Sequence, residues 1–383
     1  MKVLLDISAV TSPLSGIGRY ALEMARHLPR CGEVSKVSYL RGREVGDSWS
    51  VTQEPAAAPA DGIRKGMRAM LPYRFLLRPY RRMRAQSLAQ RLHPFSDHVF
   101  FSPNFSMPPV AGPSIVTLHD LSVFHFPHFH PRDRVNFLED QIAYAVAHAG
   151  HLVTDSDFVR RELIQLMSVS KDRISVVPLG VSPAFKPRPR REIVSTLNRY
   201  GLPETGYVLS VGTLEPRKNL ALLLSAYDQQ SSALKKRFPL VVTGASGWKD
   251  KALLQYLEKL QQKGEVIHLN YVPEEDLPII YAGATVFAYL SHYEGFGLPV
   301  LEAMSCGIPV VCADTSALPE LCGDVALFAK PSDLAEIKHR LQRALEDDEW
   351  RLSAADKGIK RSAHFTWQNA ADKIAKIGAD LEK

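Results

Sequence analysis

Long hydrophobic runs are missing from this chain. No stretch of its 383 residues approaches the roughly 18 consecutive apolar positions of a membrane-crossing helix. Cysteine is scarce as well. The four, Cys31, Cys306, Cys312 and Cys322, show no zinc spacing, and three fall in or beside predicted strands, where small buried thiols belong. The N-terminal Met-Lys-Val-Leu-Leu-Asp runs directly into a strand and an acidic residue, with no basic-then-apolar secretory pattern. Together these features point to a reducing cytoplasm. Charge of neither sign dominates: 47 basic residues face 41 acidic ones, a net +6. No recognised nucleic-acid reader motif accompanies the basic residues, so a nucleic-acid partner is not expected. What remains is an ordinary soluble composition, 45% hydrophobic and 23% charged, long enough for two or three domains with their own cores.

The most informative stretch is Ser291-His-Tyr-Glu-Gly-Phe-Gly-Leu-Pro-Val-Leu-Glu302, followed by Ala-Met-Ser-Cys-Gly-Ile-Pro-Val-Val311. An apolar run from Ala284 to Leu290 precedes it and reads as a buried strand. Gly295 and Gly297 permit a sharp turn and close backbone approach. From Pro299 the spacing of Val300, Leu301, Ala303 and Met304 is helical, and a second strand runs from Pro309 to Ala313. Such a strand–turn–helix aims backbone N–H groups, here those of Gly297 and Leu298, at a positive helix N-terminus suited to a phosphate. Glu294 stands at the entrance of the turn. Glu302, on the helix, is placed to accept hydrogen bonds from a ribose diol.

The arrangement Glu-Gly-Phe-Gly-Leu-Pro-x-x-Glu-Ala-Met-x-x-Gly-x-Pro-Val resembles the nucleotide-sugar site of the retaining family-4 glycosyltransferases. Those enzymes have the GT-B fold, two Rossmann-like doubly wound parallel-sheet domains facing each other across a cleft. The resemblance covers nearly the whole chain and is strongest from Val208 to Val311. It implies an α/β fold with an acceptor-binding domain over 1–182 and a nucleotide-sugar-binding domain over 183–362. A last helix over 363–383 would return to the first domain.

Taken in order, Lys2 to Ile7 reads as a strand. The turn-rich Thr11–Gly18 loop follows, then helical periodicity from Arg19 to Leu28, the first unit of a doubly wound sheet. Gly16, Ile17 and Gly18 fall short of the dinucleotide fingerprint; the resemblance puts this loop near donor phosphates and acceptor. Residues 42–62 look like a surface loop. The segment Arg64–Arg84 carries eight basic residues and no acidic one, interleaved with Met, Leu, Phe and Tyr. It suits an anionic membrane surface or an acidic lipid-linked substrate, or else a solvated basic helix face packed on the domain. Ser114–His119–Asp120 ends a strand, where open α/β sheets place function, and the resemblance turns His119 toward the donor sugar. His125, His128 and His130 have no interleaved carboxylate or Cys, which favours a loop near the acceptor over a metal site. Asp155-Ser156-Asp157 mimics an Asp-x-Asp metal signature, but it closes a strand and opens a helix, so Ser156 or Asp157 reads as an N-cap. No metal or other cofactor is expected. Pro183–Arg191 reads as a linker.

In the second half, Tyr207–Gly212 is a strand, and the loop to the helix at Leu220 contains adjacent Arg217 and Lys218. A guanidinium fork and an ammonium there suit a diphosphate. The resemblance puts Lys218 on the donor phosphates beside Gly212. Family members with an Arg directly after that Gly differ from this chain, which has Thr213, so Arg217 supplies the second charge. A strand and glycine turn over 240–247 contains Gly244, and a strand end at 266–272 contains Tyr271 and Val272, whose backbone the resemblance sets against the nucleobase. The function implied is a retaining, metal-independent hexosyl transfer from a nucleoside-diphosphate sugar. The catalytic set is His119, Asp120, Glu294, Arg217 and Lys218, with no carboxylate marked as covalent nucleophile, so attack comes from the front face. Similar bacterial transferases building surface polysaccharides imply a GDP-linked sugar of mannose or rhamnose type. They also imply a polyprenyl-diphosphate glycan acceptor and a peripheral place on the inner face of the cytoplasmic membrane. A UDP- or dTDP-hexose donor is the alternative. A non-catalytic nucleotide-sugar sensor or an epimerase of similar fold is the competing class.

Overall fold

The computed structural model describes residues 1–11, 14–49, 86–244 and 251–383. The basic segment 64–84 and the surface loop beyond residue 49 lie outside them. Two compact units emerge, Met1–Gly180 together with Trp367–Lys383, and Val181–Thr366.

The first unit is built on seven strands among the described residues: β1 (Lys2–Asp6), β2 (Lys36–Arg41), β3 (Glu44–Gly46), β4 (Val99–Ser102), β5 (Ser114–Leu118), β6 (His151–Thr154) and β7 (Ile174–Val176). Their order is β3-β2-β1-β4-β5-β6-β7, all parallel except the short edge strand β3. The helix Gly16–His27 follows β1. It starts earlier than the periodicity suggests, because Ser15 caps it by accepting from the Gly18 N–H at 3.1 Å. A Cβ at Gly18 would lie 2.7 Å from the Ala9 carbonyl oxygen, so the loop leaving β1 can close on the helix only where a side chain is missing. The final helix, Trp367–Leu381, buries Trp367, Ala370, Ala371, Ile374, Ala375 and Gly378 against this unit. At Gly378 a Cβ would come within 2.6 Å of the Met1 sulfur.

The second unit has six parallel strands among the described residues: β8 (Val208–Val211), β9 (Leu240–Thr243), β10 (Val266–His268), β11 (Val286–Tyr289), β12 (Val310–Ala313) and β13 (Leu327–Ala329). The order β10-β9-β8-β11-β12-β13 reverses between β8 and β11. Every residue of β9, β11 and β12 is buried, because helices cover both faces of the sheet. That is why these strands read as unbroken apolar runs and not as alternation. Ligands of such sheets bind outside the carboxyl ends of the strands at the point of reversal, here beyond Val211 and Tyr289. The chain enters and leaves this unit side by side, the Val181 N–H donating to the Phe365 carbonyl at 3.1 Å.

Candidate active site

Beyond β8 the chain passes Gly212 and forms a single 3₁₀ turn, Pro216–Lys218, before the helix Leu220–Asp228. Asn219 makes the corner with φ +56°, and its amide donates to the carbonyls of Leu290 and Pro331 at 3.1 and 2.6 Å. The turn is thereby locked to the end of β11. A second tie runs the other way, from the His292 N–H to the Arg217 carbonyl at 2.9 Å. Gly244 closes the floor. A Cβ there would lie 2.0 Å from the Gly212 carbonyl oxygen, so the ends of β8 and β9 touch through glycine alone.

This scaffold gathers four charges. Lys218 Nζ donates to Glu294 Oε1 at 2.6 Å and to the Tyr289 hydroxyl at 2.6 Å. Arg217 donates through Nη1 to the Tyr293 carbonyl at 2.7 Å and through Nη2 to Glu215 Oε1 at 2.7 Å; Nη1 also lies 3.1 Å from Glu294 Oε2. All four side chains are mostly buried, from 7% exposed for Glu215 to 17% for Lys218. Burial would raise the Glu294 pKa, but Lys218 and Arg217 outweigh it and hold the carboxyl down at about 2. Burial also lowers the Lys218 pKa, with Glu294 opposing. Glu294 is positioned from its own backbone too, its N–H donating to Ser316 Oγ at 2.9 Å.

Next to this cluster the helix Leu298–Ser305 begins. Gly297 caps it at φ +110°, and a Cβ there would lie 2.7 Å from Leu318 Cδ2, so conformation and space both demand glycine. The first helical bonds are those of the Val300 and Leu301 N–H groups to the Gly297 carbonyl, leaving the Gly297 and Leu298 amides at the open end.

The structure moves several sequence-derived residues from their expected places. Arg217 does not stand beside Lys218 as a second outward cation; it turns inward onto Glu215, Glu294 and the Tyr293 carbonyl. The Phe296 ring is buried edge-on to Phe365, which leaves only its backbone for a ligand. Glu302 is 6% exposed and lies next to the buried Tyr281 hydroxyl, which burial first and then this carboxylate push to a raised pKa. Gly295 is buried within the turn, Val272 is buried, and Tyr271 is 51% exposed beyond β10. Tyr289, Glu215, Asn219 and Ser316 were not singled out from sequence. Tyr289 lies within the apolar run Ala284–Leu290, and only the observed end of β11 beside the sheet reversal sets it apart.

In the first unit His119 follows β5. Its Nδ1 lies 2.7 Å from Asp155 Oδ2 and its Nε2 3.1 Å from the Pro103 carbonyl oxygen. Both ring nitrogens are thus engaged, Nδ1 by a carboxylate and Nε2 by a carbonyl. Burial opposes a charge on the ring, but Asp155 outweighs it and raises the His119 pKa, while burial raises that of Asp155. Asp120 Oδ1 accepts from the Ser122 N–H and Oγ at 3.0 and 2.7 Å, and Ser122 Oγ meets His130 Nε2 at 3.0 Å. His125 pairs with Glu162 at 2.7 Å. Ser156 caps the helix Asp157–Met167, as its spacing indicated, while Asp155 holds His119 and Asp157 pairs with Arg160 and Arg161. Gly16 is exposed at the helix start, with Ile17 half-buried after it. Among the described residues no cluster of three or more His, Cys, Asp or Glu side chains is placed to hold a metal ion.

A profile of glycosyl transferases group 1 matches residues 198–361, and one of glycosyltransferase family 4 matches residues 14–185. Over 369 residues the chain is 37% identical to the O-antigen chain mannosyltransferase B of Escherichia coli, covering 96% of this chain and 97% of that one. This chain is a family-4 glycosyltransferase. Solved structures share its fold at low sequence identity. WaaG, a glycosyltransferase involved in lipopolysaccharide biosynthesis, superposes with a TM-score of 0.70 at 16% identity, covering 99% of each chain. Anabaena HepE in complex with UDP and glucose gives 0.71 at 18% identity, covering 98% of this chain and 99% of that one. The two parallel sheets of the glycosyltransferase are thus the two Rossmann-like domains of the GT-B fold. No helix among its described residues is long and apolar enough to cross a membrane.

Proposed function

We propose that this glycosyltransferase moves a hexosyl group of mannose or deoxymannose type from a GDP-linked donor to a lipid-linked glycan in surface-polysaccharide synthesis, with retention at the anomeric carbon. The observation that carries this reading is the 37% identity, across 96% of the chain, to an O-antigen chain mannosyltransferase. The second unit supports it chemically. The hard part of such a transfer is the negative charge that grows on the departing diphosphate. Lys218 and the amides of Gly297 and Leu298, preorganised in a mostly buried site, are the groups to stabilise that charge without a metal ion.

In this reading the bond between the anomeric carbon and the diphosphate oxygen breaks, and the acceptor oxygen bonds to the same face of the sugar. The acceptor proton passes to the departing phosphate oxygen, so no carboxylate nucleophile is needed. Arg217 acts through Glu294, fixing the carboxylate that orients Lys218. Glu302 serves the ribose, and the backbone at Tyr271–Val272 serves the base. Residues 64–84 hold the enzyme at an anionic membrane surface where a polyprenyl-diphosphate glycan is presented. Calorimetric titration with GDP, UDP and dTDP tests the donor. GDP is expected to bind tightest, and UDP binding ten-fold tighter, about 1.4 kcal/mol, overturns the assignment.

A further inference from the structure

We propose that Tyr289 is a positioning residue for the transfer, its phenol holding the Lys218 ammonium in one orientation with a single hydrogen left for the donor. This inference rests on the reading that Lys218 meets the donor diphosphate.

An ammonium has three hydrogens on a flexible four-carbon stem, and nothing in lysine itself decides where they point. Here one goes to Glu294 Oε1 and one to the Tyr289 hydroxyl, each at 2.6 Å, and the Tyr289 ring centroid lies 5.1 Å from Nζ. Two anchors at an angle fix the third direction. The tyrosine is itself immobile: it is the last residue of β11, 3% exposed, and stacked on Phe287 with centroids 5.8 Å apart.

Charge explains why a phenol suits this position. Glu215 and Glu294 already balance Arg217 and Lys218, so the cluster is formally neutral. A third carboxylate would make it negative toward an anionic donor. Tyr289 offers an acceptor oxygen without a charge, and burial, then Glu294 beside it, keep the phenol protonated. The groups that bear on Lys218 are therefore Glu294, Arg217, Glu215 and Tyr289.

Tyr289→Phe removes one oxygen and keeps the ring, so the fold is retained, as thermal melting would verify. Its kcat is expected to fall about ten-fold, the scale of one hydrogen bond to a charged group, with little change in donor KM. The alkaline limb of kcat is expected to move to lower pH, because the ammonium loses an acceptor. In a Lys218→Ala background the same substitution should cost nothing more. A second measurement needs no variant: the Lys218 side-chain NMR signals of the wild-type protein should carry a ring-current shift from Tyr289, and random-coil lysine shifts would overturn the proposal. So would a Tyr289→Phe enzyme with unchanged kcat and alkaline limb, or one that loses activity equally in the Lys218→Ala background. If Lys218→Ala itself keeps wild-type turnover, the diphosphate reading fails. If Lys218→Ala is crippled and Tyr289→Phe is not, only the tyrosine assignment falls.

Discussion

Replacing Glu294 with glutamine isolates the charge at the centre of the cluster, because the side chain keeps its shape and loses only its ionisation. The Glu294 carboxyl has an ordinary pKa of 4.5 and is held at about 2 by Lys218 and Arg217 against the effect of burial. At 1.36 kcal/mol per pH unit, that difference corresponds to about 3 kcal/mol of folding stability. The figure agrees with the lower end of the roughly 3–5 kcal/mol lost when one partner of a buried ion pair is removed. The sign follows from the depressed pKa. The contribution is complete above the unfolded-state pKa and disappears as pH falls through the folded-state value. Urea unfolding followed by circular dichroism should therefore find Glu294→Gln less stable than wild type by about 3 kcal/mol near pH 7. Below the ordinary glutamate pKa the gap should close by about 1.4 kcal/mol per pH unit, and it should be nearly absent near pH 2. A gap of the same size at pH 7 and near pH 2 would refute the electrostatic account and leave only packing. No gap at neutral pH would mean that the cluster is stable without its carboxylate.

Lys218→Ala should lose at least about 2–3 kcal/mol of transition-state stabilisation, and wild-type turnover at saturating donor would remove Lys218 from the mechanism. Activity should persist in excess EDTA; inactivation by the chelator with rescue by manganese would return attention to Asp155 and Asp157. The full chain should bind anionic vesicles through residues 64–84 with an affinity that falls as salt rises, and equal binding to neutral vesicles would reduce that segment to a solvated basic face. NMR titration should find the His119 imidazole of the wild-type protein above the ordinary histidine value, and a value below it would contradict the pairing with Asp155.

Much of the backbone of the second unit could be read from the sequence, because a parallel strand covered on both faces shows as a continuous apolar run and the turns at Gly244 and Gly297 are marked by a glycine with a steric duty. Gly297 is the example: its place before a helical spacing located the helix start to within a residue. The final helix, expected over 363–383, spans Trp367–Leu381 within those bounds. Partnerships between side chains were not legible. His119 meets Asp155 because β5 and β6 pair with Leu118 opposite Thr154, so the next residue of each strand falls side by side. Register is a property of two strands, and neither sequence segment states it alone. The same reason hid Tyr289, read as one more apolar strand residue, although its hydroxyl reaches a lysine on another loop. The inward turn of Arg217 and the burial of Glu302 and Phe296 depend likewise on packing from distant segments.

The return of the helix Trp367–Leu381 to the first unit has a consequence for the order of assembly during synthesis. Ribosomes release the chain from its N-terminus, and domains usually fold in that order. Here the strands of the first unit emerge early, but the surface around Tyr20, whose ring lies 6.1 Å from that of Trp367, and the Met1 sulfur against Gly378 stay uncovered until the helix Trp367–Leu381 has emerged. The second unit, Val181–Thr366, is complete sooner, since all of its residues precede that helix. A chain stopped just after Thr366 would thus hold every residue of the second unit while Tyr20 and Met1 still lacked their contacts with Trp367 and Gly378.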